Sequence, residues 1–243
     1  MRLAVLALSS MVSIPAGSYR PLYSTPDAPT IHVGAFRLDR TLVTRADFQR
    51  FVIAHPEWQR GKVKALFAEP AYLAGWKSPT VAGDVADLNR PVTSVSWFAA
   101  RAYCAAQGKR LPTVDEWEYV AAASARRRDA SADPEFRRHV LATVAARARV
   151  PSSVGRSAPN AYGVQDVHDL VWEWTEDWNS VVVPDDSRSA GSSVDARDHH
   201  LYCASAALGA RDPSDYPAFA RFAVRASLTG RSTMNSVGFR CAA

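Results

Sequence analysis

A histidine and a cysteine late in the chain have the residue types and spacing of a two-ligand metal site. Cys203 follows His200 by three positions, and an imidazole together with a thiolate can bind copper or iron. In an extended strand, however, residues three positions apart point to opposite faces. Two interpretations of Cys203 therefore stay open: a catalytic or redox residue at a metal site with His200, and a buried structural thiol.

The common catalytic patterns are missing from the sequence. It has no H-E-x-x-H zinc motif, no G-x-S-x-G nucleophile elbow and no glycine-rich phosphate loop. The two cysteines besides Cys203 are Cys104 and Cys241, which lie far apart in the chain. The residues alone therefore offer no complete catalytic constellation.

Composition and charge limit the classes of partner. The chain has 243 residues, of which 47% are apolar and 22% charged, with a net charge of +5. The basic clusters Arg126–Arg128 and Arg137–Arg138 flank a predicted helix over residues 134–147 and lack the interleaved aromatics of a nucleic-acid site. No apolar run approaches the roughly 18 residues of a membrane span. We expect a protein partner rather than nucleic acid, and no membrane span.

The first ten residues are a separate N-terminal element. Arg2 is followed by the apolar run LAVLAL, which is shorter than the roughly 7–15 apolar residues of a signal peptide. Residues 1–10 are either the remnant of an export signal or an N-terminal arm, and Met11 begins the first predicted strand. The export alternative predicts a periplasmic or secreted protein, and the other alternative a cytoplasmic one.

The segment Pro91–Val120 predicts the elements that position any site. Ser96 is a candidate N-cap for one helix, and Gly108 ends it because glycine adopts the left-handed cap conformation. Thr113 and Glu116 have the spacing of a capping box at the start of a second helix. The segment therefore predicts two short helices joined at a sharp angle.

Three motifs in order resemble the formylglycine-generating-enzyme, or sulfatase-modifying-factor, family. They are the run AYCAAQGKRLPTVDEWEYV, the segment NAYGVQDVHDLVWEW and the closing VGFRCA. The resemblance spans residues 11–243 and implies a single α+β domain, rich in loops and similar to C-type lectins. Its short helices are expected around twisted antiparallel sheets.

The resemblance implies a disulfide between Cys104 and Cys241. In family members with a cystine, the cysteine of the AYC helix pairs with the one in the closing strand. The alternative is two buried free thiols packed as small apolar groups. A formed disulfide favours an oxidising compartment, in agreement with the export alternative.

The resemblance also implies a structural calcium site in the segment from Asp166 to Glu173. Family members hold calcium with the side chains at the positions of Asp166 and Glu173 and the carbonyls at the positions of Asp169 and Val171. Calcium prefers several such oxygen ligands. The alternative is that both carboxylates cap a turn and pair with nearby arginines.

The resemblance does not extend to the family's redox residues. Formylglycine-generating enzymes bind Cu(I) with two cysteines, because thiolates hold this soft ion. Arg221 and Ala226 stand at those positions, and neither can supply a thiolate. The iron motif H-x3-H-x-E of related sulfoxide synthases is also missing. We therefore expect no formylglycine-generating activity by the known mechanism.

Three functions remain as hypotheses. The first is an accessory or maturation protein, because the AGSYRPLY and DYPAFARFAVRASL segments resemble accessory proteins of copper nitrite reductase. The second is a metal-dependent oxidoreductase with a different site around Cys203. The third is a protein-binding module such as a toxin-immunity protein. The insertion Trp58–Trp76 is either a recognition element or a small helical flap packed by Val63, Leu66, Phe67 and Leu73.

Overall fold

The elements of the chain are short and are separated by long irregular segments. The computed structural model describes residues 11–23, 30–147, 150–179, 212 and 215–243. Its strands are β1 (Met11–Ile14), β2 (Gly17–Tyr19), β3 (Ile31–Val33), β4 (Phe36–Asp39), β5 (Trp172–Glu173) and β6 (Val237–Gly238). Its α-helices are α1 (Arg45–Ala54), α2 (Trp97–Ala106), α3 (Val114–Ala121), α4 (Pro134–Ala145) and α5 (Tyr216–Ser227).

The strands form three small sheets of two strands each in the described residues. β1 pairs with β4 and β2 with β3, both antiparallel as expected. β5 pairs with β6 in parallel, with Trp172 opposite Val237. Parallel pairing requires a long connection, and here it brings the end of the chain beside a segment more than sixty positions earlier. The fold class is α+β, with much of the chain in loops.

Local capping fixes where α2 and α3 begin, as the sequence predicts. The Ser96 side chain accepts from the Ala99 N–H. The Thr113 hydroxyl accepts from the Glu116 N–H, and the Glu116 carboxylate accepts in return from the Thr113 N–H. Gly108 has a φ of +67° just after α2, a conformation that costs glycine little.

The closing segment, residues 237–242, lies between the two parts of the core. Phe239 packs in a core cluster around α1 and α2, and Ala242 packs in a second cluster around α3 and the first four strands. The Asp39 N–H donates to the Cys241 carbonyl, and the Val43 N–H donates to the Phe239 carbonyl. The end of the chain is therefore part of the core.

A disulfide joins Cys104 on α2 to Cys241 in the closing segment, as the resemblance implies. The two Cα atoms are 5.6 Å apart and the residues are separated by 137 positions. Both cysteines are fully buried. The bond therefore connects the middle of the chain to its end inside the core.

The predicted helix over residues 134–147 is present as α4 and ends at Ala145. Val140 of α4 is buried, while Phe136, Leu141 and Val144 are half-buried. α4 and α5 have twelve residues each. In the described parts of the chain, no helix has the length and apolarity that crossing a membrane requires.

We predict that Cys241→Ser lowers the free energy of unfolding by about 2–5 kcal/mol, because the unfolded chain loses a constraint across a long loop. Urea denaturation of both proteins measures the difference. Cys203→Ser is the control, because it also removes a sulfur atom but leaves the Cys104–Cys241 disulfide in place. Titration of thiols in denaturant should find one free thiol in the unmodified chain, and three would contradict the disulfide.

Candidate functional site

A buried carboxylate on α3 binds two arginines of α5. Arg221 and Arg225 are four positions apart and therefore lie on one face of the helix. The Arg221 Nε and Nη2 donate to the Glu118 oxygens at 3.0 and 2.7 Å, and the Arg225 Nη1 donates to Glu118 at 2.6 Å. Glu118 is only 6% exposed. This arginine–glutamate cluster attaches α5 to the core.

The two arginines favour the ionised form of Glu118. Burial alone would raise the pKa of Glu118, but Arg221 and Arg225 outweigh burial and lower it to about 2. Both guanidinium groups also lie near the Trp117 ring, at 5.7 and 5.0 Å from its centroid. Such contacts between a cation and an aromatic face add to the stabilisation.

His168 lies beside this cluster and is kept neutral. Its Nε2 lies 3.0 Å from the Ala121 carbonyl oxygen, which can only accept, so we assign the proton to Nε2. Burial and then the nearby Arg221 lower the pKa of His168 to about 3. The carbonyl of His168 accepts from the Arg147 Nε and Nη2 at 3.0 and 2.8 Å. The guanidinium of Arg147 therefore occupies the carbonyl oxygen of His168.

An open cleft of about 820 Å³ lies between α4 and the segment from Ser152 to Leu170. Its charged and titratable lining includes Glu135, His139, Arg156, His168 and Asp169. Concave sites with a few polar groups are the usual places for ligands. In the described residues, however, no three His, Cys, Asp or Glu side chains are grouped so that they could hold a metal ion.

The carboxylate of Glu173 does not fit a calcium ligand. Both of its oxygens accept from Arg240, through Nε at 2.7 Å and Nη2 at 2.9 Å. The two side chains are buried to 1% exposure or less. A divalent cation at Glu173 would have to displace the guanidinium of Arg240. Because both side chains are buried, water could not take the place of Glu173 as the partner of Arg240.

Asp166 is likewise committed to protein partners. Its two carboxylate oxygens accept from the N–H groups of Gly155 and Ser157, and its backbone has a φ of +59°. Asp169 is half-buried at the cleft, and Val171 is buried in the core. Since an arginine binds the Glu173 carboxylate and two N–H groups bind the Asp166 carboxylate, these two side chains do not fit the calcium ligands that the resemblance implies.

The other site residues predicted from sequence separate into two groups. Arg221 and Ala226 lie on α5, and Arg221 is held by Glu118 rather than facing a ligand. His200 and Cys203 lie outside the described residues. Sequence reasoning missed the cluster around Glu118, and the signal that could have suggested it is the spacing of Arg221 and Arg225.

Comparison with known proteins gives a consistent result over the whole chain. A model of the sulfatase-modifying factor enzyme 1-like domain matches residues 2–243. The chain is 29% identical over 297 residues to the formylglycine-generating enzyme of Mus musculus, covering 98% of this chain and 76% of that protein. It is 27% identical over 281 residues to the inactive C-alpha-formylglycine-generating enzyme 2 of Bos taurus, covering 96% and 87%. The solved structure of PvdO from Pseudomonas aeruginosa matches at 20% identity and a TM-score of 0.48, covering 96% and 93%.

We predict that Glu118→Gln lowers the free energy of unfolding at neutral pH by about 3 kcal/mol, because it leaves buried guanidinium groups without a counter-charge. Glu118 has a pKa of about 2 in the folded chain and an ordinary value of 4.5. The stabilisation is therefore complete above pH 4.5 and is lost as the pH falls from 4.5 to 2.

Urea denaturation across this pH range measures both effects. The variant should lose less stability on acidification than the unmodified chain. Glu135→Gln is the matched control, because Glu135 is exposed on α4 and should change stability by less than about 0.5 kcal/mol. Equal acid sensitivity of Glu118→Gln and the unmodified chain would contradict the role of this carboxylate.

We predict that calcium does not stabilise the protein, because the acceptors near Asp166 and Glu173 already have protein partners. The melting temperature should be the same in calcium chloride and in EDTA at equal ionic strength. A ligand that binds the folded state raises this temperature with its concentration. A rise that follows the calcium concentration, and that magnesium does not reproduce, would show that an ion does bind.

Proposed function

Because the chain belongs to the sulfatase-modifying factor enzyme 1-like family, we propose that it is a divergent member that generates no formylglycine and acts as an accessory protein in the maturation of another enzyme. The number of available thiols carries this proposal. The sequence has three cysteines, and Cys104 and Cys241 are joined in the disulfide. Only Cys203 remains, whereas Cu(I) held by a thiolate pair requires two.

The state of α5 supports the same proposal. The resemblance assigns the two copper-binding positions to Arg221 and Ala226, and both lie on this helix. Arg221 is bound to Glu118, and the methyl group of Ala226 cannot bind a metal. A helix held to the core by buried charge is suited to a structural role.

The accessory role itself rests on resemblance. Two segments of the sequence resemble accessory proteins of copper nitrite reductase, so we expect the client to be a copper enzyme. A bovine relative carries the word inactive in its name, which fits a family whose members do not all share one activity. A buried disulfide is typical of an oxidising compartment, and we therefore propose that the protein acts in the periplasm or outside the cell.

We predict that the purified chain, supplied with Cu(I) and oxygen, converts no cysteine of a sulfatase peptide to formylglycine. Mass spectrometry of the peptide measures the product, and the mouse relative serves as the active control. Formylglycine above the level of a protein-free reaction would contradict the proposal. Stoichiometric copper or iron that is lost in Cys203→Ala would instead support an oxidoreductase centred on Cys203.

The accessory role has a separate test. The products of genes adjacent to the coding sequence are co-expressed with the tagged chain. We expect one of them to be a copper enzyme that copurifies with the chain and has lower activity when the chain is omitted. Full activity of that enzyme without the chain would contradict the role.

A further inference from the structure

Four partly exposed aromatic rings form a continuous row across two parts of the chain. The ring centroids of Trp58 and Phe67 are 6.1 Å apart, and those of Phe67 and Phe98 are 5.3 Å apart. Trp97 continues the row at 5.2 Å from Phe98. The row therefore joins the insertion Trp58–Trp76 to the first turn of α2.

Two exposed apolar residues lie close to this row along the backbone. Leu66, next to Phe67 in sequence, is 71% exposed, and Met234 is 45% exposed. The Met234 carbonyl accepts from the Ser94 N–H, which places Met234 close to the start of α2. Apolar patches with a polar rim mark interaction sites on soluble proteins. We call this patch the aromatic surface, and its members are Trp58, Leu66, Phe67, Trp97, Phe98 and Met234.

The insertion that carries half of the aromatic surface is fixed in place. Arg60 donates through Nη1 to the Trp76 carbonyl at 2.6 Å, and the Tyr72 hydroxyl donates to the Trp58 carbonyl at 3.0 Å. The Leu73 N–H donates to the Ser94 carbonyl. The insertion is thus a loop of consecutive turns held by hydrogen bonds, and not a helical flap. The Leu66 side chain is exposed to solvent and does not pack inside the insertion. A surface that is already ordered loses little entropy on binding.

Positive side chains outnumber negative ones in the segments that carry the aromatic surface. Lys62, Lys64 and Arg231 are exposed, and within the described parts of the chain none of them forms an ion pair. Two carboxylates lie in the same part of the chain, Glu57 beside His55 and Glu69, which accepts from the Thr233 N–H, so the three cations outnumber them. A partner with negative charge is therefore favoured over a neutral or basic one.

We propose that the aromatic surface binds an acidic segment of a partner protein, with bulky apolar side chains seated on the rings and carboxylates beside Lys62, Lys64 and Arg231. This inference rests on the proposed accessory function and names the chemistry of its partner. Single-stranded nucleic acid fits less well. Its bases need separate ring faces on which to stack, whereas these rings contact one another at interplanar angles of 45°, 60° and 80°.

A synthetic amphipathic peptide tests the proposal, with leucines on one helical face and glutamates on the other. Binding to the full chain is followed by tryptophan emission, because Trp58 and Trp97 lie in the surface. We expect saturable binding that weakens with salt. A peptide with glutamine in place of every glutamate should bind about tenfold more weakly, and a lysine version should not bind.

Matched variants locate the binding site. Leu66→Gln and Met234→Gln should each weaken binding of the acidic peptide by about five- to tenfold. Val85→Gln is the control, since Val85 is 87% exposed and is not a member of the aromatic surface. The double variant Lys62→Glu/Lys64→Glu should abolish binding, whereas Arg126→Glu/Arg138→Glu, with the same change of net charge, should leave it nearly unchanged.

Three results would overturn the inference: no saturable binding, equal loss in the Val85 and Leu66 variants, or tighter binding of a single-stranded DNA oligonucleotide than of the acidic peptide. The proposed function fails on different data, namely formylglycine production or full activity of the client without the chain. If the client copurifies equally with the Leu66→Gln variant, the accessory role stands and the aromatic surface is not its docking site.

Discussion

The guanidinium of Arg240 makes the contacts on which the rest of the structure depends. Its five N–H groups all have acceptors: two on the carboxylate of Glu173, and one each on the carbonyls of Asp39, Arg40 and Gln165. The side chain is fully buried, and a buried charge without its partners costs several kcal/mol. The end of β4, the turn before Asp166, β5 and the closing segment must therefore assemble together. An ion pair satisfied this completely specifies one arrangement and disfavours the alternatives.

The cross-links matter because the sheets are small. β5 and β6 have two residues each, and isolated pairs of short strands are only marginally stable in water. Next to Arg240, Cys241 carries the disulfide to α2, and its N–H donates to the Asp39 carboxylate. Lys109 donates to the other oxygen of Asp39 at 2.6 Å. Covalent and ionic contacts around two adjacent residues thus do what a larger sheet does in other folds.

Sequence reasoning succeeded where the interacting groups are close in the chain. The caps at Ser96 and Thr113 use donors three positions away, so their residue types alone identify them. The carboxylates behaved differently, because a sequence displays a charge but not its partner. The resemblance implied that Glu173 is a calcium ligand, with pairing to an arginine as the alternative, and the arginine that it binds lies 67 positions later. Glu118 gave no signal, since its partners are more than a hundred positions away. The family resemblance supplied the disulfide, a long-range contact that no local pattern contains.

Helix α2 connects the stability of the fold to the proposed interaction. Its buried face carries Cys104 and therefore one end of the disulfide, while its first turn presents Trp97 and Phe98 at the surface. The backbone N–H of Trp97 donates to the Gly230 carbonyl, and a Cβ on Gly230 would lie 3.0 Å from the Phe98 ring. Trp97 thus packs against the core, and the segment that follows α5 lies against the Phe98 ring. Arg221 and Ala226 take no part in the contacts just described, so a change of residue at these two positions of α5 does not disturb them. Under the proposed function, such a scaffold forms no formylglycine and keeps a surface for binding.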